Sequence, residues 1–351
     1  MNRLSARSFL LALIAVASLA SIVLFVPWTF LGSKIAPLPA SISGQVDNSP
    51  ALGLDGMIVY IDEQGQPPVT LTAGWHNKEL RQPASGDAFF KIASISKLYL
   101  AVVAVKLAAQ HQLELDNTLV DYLPDMAADI PGAADITLRM LLQHRSGIPD
   151  YIDADGFDWF SPPTSPADLL SLVKSRPLAF TPGTRYSYSN SNYVIVAAII
   201  DRVSGKSYRK LIEEKILRPL KLENTFFSSK EVNMARLMSG YIKGLDVDVK
   251  PVWFTGASSE MVSTAADTGK FIRALNNGSL LTSQEQRIYG SVYEFGHTGL
   301  LPGYSSIARY HQDIDTVVVQ FVNNSGDDTW ALSEANYDRV VAIIRNRRKE
   351  N

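Results

Sequence analysis

Ser94 and Lys97 are the residues whose types and spacing first suggest chemistry, as the ends of a Ser94-Ile-Ser-Lys97 group. On a helix, residues three apart share a face, so the Lys97 amine can reach the Ser94 hydroxyl. A lysine kept partly neutral by apolar surroundings can take the serine proton and free the oxygen to attack a carbonyl. The positive end of the same helix favours the oxyanion that follows. Two other places fit the pattern, Ser171-Leu-Val-Lys174 and Ser207-Tyr-Arg-Lys210. There a surface serine and lysine on a solvated helix face suffices as an explanation. Ser94 differs in its setting. Phe89-Phe-Lys-Ile92 reads as a strand leading into it, and residues 96–110 read as a helix that is apolar on most faces.

Two further groups carry suitable chemistry. Tyr188-Ser-Asn190 lies in a loop before an apolar helix. A phenol beside a lysine can shuttle a proton, and an amide can orient a substrate carbonyl. His297-Thr-Gly299 stands at the start of a β-type run. A basic side chain, a hydroxyl and a glycine on a strand edge can hold a carboxylate and let the backbone approach a substrate.

These three groups, in this order, resemble the serine β-lactamase and penicillin-binding-protein superfamily. The finer resemblance is to the class C β-lactamase branch, with its D-Ala-D-Ala carboxypeptidase and esterase relatives. It rests on Ile92-Ala-Ser-Ile-Ser-Lys97, Leu141-Leu-Gln-His-Arg-Ser-Gly-Ile-Pro-Asp-Tyr151, Pro182-Gly-Thr-Arg-Tyr-Ser-Tyr-Ser-Asn190, Val262-Ser-Thr-Ala-Ala-Asp267 and His297-Thr-Gly-Leu-Leu-Pro-Gly303. The resemblance covers about residues 50–345.

It implies an α+β fold of the β-lactamase/DD-peptidase type. Strands from both ends of the chain build an antiparallel sheet, with a terminal helix and an inserted, mostly helical lobe at about 95–290. It also implies roles. Ser94 becomes acylated, and Lys97 and Tyr188 move protons, with either able to be the base. The N–H groups of Ser94 and Leu300 form an oxyanion hole. Asn190 meets the substrate amide, and Thr298 and His297 face its carboxylate or leaving group, beside Gly299. Most β-lactamases carry lysine where this chain has His297. Histidine is only partly charged at neutral pH, which makes it a weaker carboxylate anchor. The expected activity is therefore D-Ala-D-Ala carboxypeptidase-like on a cell-wall peptide. Esterase or D-amino-acid amidase action comes next and β-lactamase third. A catalytically idle cell-wall-binding relative is the non-enzymatic reading, and the presence of all four motif residues argues against it.

The elements that must position these groups are legible in outline. Met57-Ile-Val-Tyr-Ile61 and Val69-Thr-Leu-Thr-Ala73 flank a polar turn and read as paired strands; residues 305–310 and 316–322 read likewise. Helices are expected at about 137–143, 166–174, 192–203, 263–275 and 330–347. Specificity is expected to lie in the loops around 150–165 and 225–260. The segment between Leu281 and His297 is short, so the pocket wall there is undefined by pattern.

Composition excludes several classes. The 351-residue chain has a net charge of −2 and only one basic cluster, at Arg345, Arg347, Arg348 and Lys349, which argues against a nucleic-acid partner. It has no cysteine, hence no disulfide, thiolate metal site or cysteine nucleophile. His76, His111 and His311 lack ligand spacing, so no metal is assigned and no cofactor is implied. His144 reads as a structural loop histidine. Arg3 and Arg7 precede an uncharged run at 8–33. That run is long enough to span a bilayer and is expected to be a single-pass anchor (residues 1–34), followed by a linker at 35–49 and an extracytoplasmic domain at 50–351. Export after cleavage near Ser18 or Ala20 is the alternative.

Overall fold

The structure is a computed structural model. It describes residues 28–254, 256–326 and 328–350, with a few isolated positions between 11 and 21. The expected anchor therefore lies largely outside the described residues. Among those described, no helix is long and apolar enough to cross a membrane.

Six strands form one antiparallel sheet: β1 (Gly56–Glu63), β2 (Val69–Asn77), β3 (Gln82–Pro83), β4 (His297–Leu301), β5 (Tyr304–His311) and β6 (Thr316–Val322). Their spatial order is β3-β2-β1-β6-β5-β4. The two ends of the chain meet where β1 pairs with β6, from Met57 opposite Val322 to Glu63 opposite Thr316. The fold is the expected α+β type. The long apolar runs of β1 and β6 follow from burial on both faces. Met57, Val59, Ile61 and Val318 pack with Val340, Val341 and Ile344 of the terminal helix. Ile58, Tyr60, Val317, Val319 and Phe321 face the opposite way, into the core shared with the helices inserted between β3 and β4. That strict alternation is the period of two that a strand imposes.

The helices that matter for the site are α1 (Trp28–Ile35), α2 (Ile42–Asp47), α3 (Ser96–Ala109), α4 (Leu138–Leu142), α5 (Asn190–Ser204), α6 (Ala265–Asn276), α7 (Ser283–Val292) and α8 (Thr329–Glu350). α3 is the hub, buried at every position from Ser96 to Val105. Thr137 caps α4 by accepting from the Met140 N–H, Thr264 caps α6 from the Asp267 N–H, and Gly205 ends α5 in the left-handed region at φ 65°. Gly269 of α6 lies against the sheet, where a Cβ would stand 2.1 Å from the Tyr60 ring.

The expected linker needs correction, because α2 lies inside 35–49 and is packed. Ser41 caps it, and Gln45 and Val46 are buried. Gln45 belongs to a chain of buried amides. Arg339 Nε donates to Gln45 Oε1, Gln45 Nε2 to Asn336 Oδ1, Asn336 Nδ2 to Gln320 Oε1, and Gln320 Nε2 to the Ser333 carbonyl. The Arg339 guanidinium also donates to the carbonyls of Ser33, Ala36 and Pro37, closing the end of α1 against α8. The Pro-rich composition of 36–40 suggests a free tether, and the partners that fix it lie some 300 residues away.

Candidate active site

Ser94 sits in a single 3-10 turn (Ala93–Ile95) that runs directly into α3. Ala93 before it has φ 52°, a left-handed conformation that costs a non-glycine residue on the order of 1 kcal/mol or more. Neighbours hold it there. The Ser96 hydroxyl donates to the Ala93 carbonyl at 2.6 Å, the Ile92 N–H to the Met261 carbonyl at 3.1 Å, and the Ser306 hydroxyl to the Ile92 carbonyl at 3.2 Å.

Lys97 is buried and has three hydrogen-bonding neighbours. They are Ser94 Oγ at 3.0 Å, Asn190 Oδ1 at 2.8 Å and the Ser258 carbonyl at 2.9 Å. Burial pushes the amine down to about 7, with Asp150 pulling the other way. Asn190 in turn donates from Nδ2 to Asp150 Oδ2 at 2.8 Å. A carboxylate oxygen must accept, so the amide is oriented with its oxygen toward Lys97. Burial raises the Asp150 carboxyl, while the N–H groups around it pull it down. Sequence reasoning missed both Asp150 and Ser258. Asp150 lies within a segment that carries the family resemblance, but nothing about Ser258 marks it.

Tyr188 faces Lys97, whose amine stands 4.9 Å from the ring centroid. Burial raises its phenol far above the usual value, and the Ser94 hydroxyl pulls against that rise. The phenol oxygen is buried without a closed hydrogen bond among the described residues. His144, expected to be a structural loop histidine, stacks on Tyr188 at 4.3 Å between ring centroids. Its Nδ1 accepts from the Ser189 N–H at 3.2 Å, and its backbone is left-handed at φ 56°. Burial, with the Lys97 charge, pushes its pKa down to about 2.

β4 brings the third group to the edge of the sheet. Gly299 lies so close to the Ser94 turn that a Cβ would stand 2.4 Å from the Ile92 carbonyl and 3.0 Å from Ala93 Cβ. β4 and β5 join through Pro302 and Gly303, with Leu301 opposite Tyr304. Residues flanking a two-residue turn exchange both backbone bonds, so by alternation the Leu300 N–H points away from β5, to the open edge. His297 departs from expectation. Its Nδ1 donates to the Thr298 carbonyl, and its Nε2 accepts from the Tyr293 hydroxyl at 2.8 Å. Burial, again with the Lys97 charge, pushes it down to about 4. Both ring nitrogens are engaged and the ring is neutral, so it offers no cation to a carboxylate.

Ser94, Tyr188, Asn190, His297, Thr298 and Leu300 line one cavity of about 700 Å³. The rest of its wall is mostly apolar, including Ile152, Phe157, Trp159, Phe254, Leu301 and Trp330. Both loops expected to set specificity contribute to it. Among the described lining residues none is Asp, Glu, Lys or Arg. No cluster among the described residues has the composition of a metal site.

A family model described as Beta-lactamase matches residues 42–292. The chain belongs to the beta-lactamase family. A beta-lactamase of Escherichia coli (strain K12) is 25% identical over 226 residues, which cover 63% of this chain and 56% of that protein. The family member described here spans less than two thirds of the first curated relatives it matches. Among solved structures, a D-amino acid amidase from Ochrobactrum anthropi SV3 is 25% identical with a TM-score of 0.78, covering 88% of this chain and 98% of its own. A D-stereospecific amidohydrolase from Streptomyces sp. is 26% identical with a TM-score of 0.74, covering 87% and 98%.

Proposed function

We propose that this protein is a serine hydrolase that cleaves carboxylate-free amides or esters of large apolar acyl groups, D-amino-acid amides among them, through an acyl-enzyme on Ser94. The observation that carries this reading is the absence of Asp, Glu, Lys and Arg among the described residues of the cavity wall, with both nitrogens of His297 engaged. A D-Ala-D-Ala terminus and a β-lactam both present a carboxylate, and no cation among the described lining residues meets it. That ranks carboxypeptidase and β-lactamase action below amide and ester cleavage. The amidase and amidohydrolase likenesses support the same order.

The hydrogen-bond pattern supports Lys97 as the base in this reading. Asn190 Oδ1 and the Ser258 carbonyl can only accept, so both take N–H groups from Lys97. A neutral amine has two such hydrogens and one lone pair, and the lone pair is left for the Ser94 hydroxyl. Lys97 takes the proton as Ser94 Oγ bonds to the carbonyl carbon. The N–H groups of Ser94 and Leu300 hold the oxyanion. Tyr188, a phenol at rest, passes the proton to the leaving group as the C–N or C–O bond breaks. Water then repeats the sequence and frees Ser94. Anchorage by residues 1–34, with the domain outside the cytoplasmic membrane, belongs to the same proposal and rests on Arg3, Arg7 and the uncharged run at 8–33.

A hydrolysis panel tests this reading: D- and L-phenylalaninamide, a phenylacetate ester, a D-Ala-D-Ala peptide and a cephalosporin, each with Ser94→Ala as control. Amide or ester turnover lost in Ser94→Ala is expected. Faster turnover of the peptide or cephalosporin would sink the carboxylate-free reading.

A further inference from the structure

α1 joins the domain along α8, and its contacts fix the direction. Arg339 of α8 donates to the carbonyls of Ser33, Ala36 and Pro37, and the Lys34 amine stands 3.6 Å from the Asp338 carboxylate. Phe30, one turn before Lys34, shares a small cavity with Ala331 and Glu334, which also come earlier in α8. Earlier residues of α1 thus meet earlier residues of α8, so the two helices run the same way. This register places Trp28, where α1 begins, beside the first turns of α8. Those turns border the catalytic cavity. Trp330 lines it with Ile242 and Pro302, and all three are only half-buried, while Leu300 of the same wall is exposed. The cavity is therefore accessible at this end. Ile242 belongs to a hairpin of Tyr241–Ile242 with Leu245–Asp248, and Lys243 in its turn pairs at 2.7 Å with Asp328, just before α8. Leu245 and Val247 share one face of that hairpin and are 48% and 53% exposed.

We propose that this end of the domain rests on a phospholipid bilayer, and that the cavity takes the acyl chains of amphiphilic esters and amides from it. The proposal rests on the anchorage by residues 1–34 and on the acyl-enzyme reading given above. The uncharged run at 8–33 reaches the domain at the start of α1, so the bilayer lies beyond Trp28. A tryptophan favours the headgroup level. The hydrogen bonds from Arg339 make α1 part of the domain rather than a free tether. The orientation follows: the cavity end of α8 faces the lipid, and the end with Arg345, Arg347 and Arg348 faces away. Leu245 and Val247, exposed beside the cavity, then meet lipid instead of water. An acyl chain can enter the apolar cavity from the bilayer with little exposure to water on the way.

The full chain in phosphatidylcholine vesicles tests this. It has no cysteine, so Leu245→Cys and Asn346→Cys each carry a single fluorophore. Asn346 stands about 24 Å further along α8 than Trp330. Lipids with a nitroxide on the headgroup should quench the label at 245 several-fold more strongly than the label at 346. Leu245→Glu combined with Val247→Glu, outside the catalytic group, places charge where lipid is expected. It should slow hydrolysis of 4-nitrophenyl dodecanoate held in the vesicles several-fold and leave that of 4-nitrophenyl acetate in water unchanged. Equal quenching of the two labels overturns the orientation. A dodecanoate-to-acetate rate ratio unmoved in the double variant overturns uptake from the bilayer. Protein that fails to float with the vesicles would instead remove the anchorage, and this proposal with it. Absence of Ser94-dependent acetate turnover would count against the acyl-enzyme reading itself.

Discussion

Asp150→Asn should shift the acidic limb of the pH–rate profile to lower pH. Lys97 must be neutral to accept the Ser94 proton, so kcat/KM for a neutral ester rises through its pKa, near 7. Asp150 is the charge that raises that pKa. Their separation follows from the chain of contacts: 2.8 Å from Lys97 to Asn190 Oδ1 and 2.8 Å from Asn190 Nδ2 to Asp150. An amide spans roughly 2.3 Å between its oxygen and nitrogen, so the charges are at most about 8 Å apart. At an effective dielectric of about 20, that is on the order of 2 kcal/mol, or roughly 1.5 pH units. Asparagine keeps an oxygen for Asn190 and loses one acceptor, so the fold cost is about 1 kcal/mol. The assay is kcat/KM for a phenylacetate ester from pH 5 to 9, with melting temperature recorded at each pH. A limb that stays within about 0.3 units of the unaltered protein would show that Asp150 carries no charge in the working enzyme, or that Lys97 is not the titrating base.

Other substitutions probe the remaining links. Tyr188→Phe should lower kcat on the order of 10²-fold yet leave the limb near 7, whereas Lys97→Met should abolish both; a limb displaced in Tyr188→Phe would make the phenol the titrating group. Gly299→Ala forces a Cβ to 2.4 Å from the Ile92 carbonyl and should cost on the order of 10²-fold in kcat, read with the ester assay, by displacing the Ser94 turn. Folded His297 sits near 4 against 6.5 unfolded, so the unfolded chain takes up the proton first; melting temperature should fall as pH drops from about 6.5 to about 4, and His297→Gln should flatten that fall. Asn336→Leu strands Gln45 and Gln320 and should cost about 2–4 kcal/mol by urea unfolding, with faster proteolysis in the Pro-rich stretch at 36–40.

What was legible in the sequence was whatever local spacing dictates. The two hairpins and a sheet built from both ends of the chain, the buried helix behind Ser94 and the approach of Tyr188 and His297-Thr-Gly299 to Ser94 all follow from periodicity and family pattern. What was not legible depends on partners far apart in the chain. Ser258 contributes a backbone carbonyl, which no side-chain pattern reveals. Asp150 acts through Asn190, one amide removed from the lysine it influences. α2 is held by Asn336 and Arg339, on a helix from the other end of the chain, so 35–49 carries the composition of a tether and the contacts of a packed element.

His297 shows why residue type alone does not fix chemistry. Read as a basic side chain in a basic-Thr-Gly group, it offers a weak cation to a carboxylate. Its protonation is set by two neighbours that a motif does not include. The Thr298 carbonyl requires a hydrogen on Nδ1, and the Tyr293 hydroxyl supplies one to Nε2. A proton added at Nε2 would reverse the bond to Tyr293 and place a charge in a buried site beside Lys97. The same charge would oppose protonation of Lys97, the step that acylation needs. A neutral His297 therefore serves the base directly, and the loss of a carboxylate anchor accompanies it: a lysine at this position would bind an anionic substrate better and, without a compensating anion, hold back the proton transfer from Ser94.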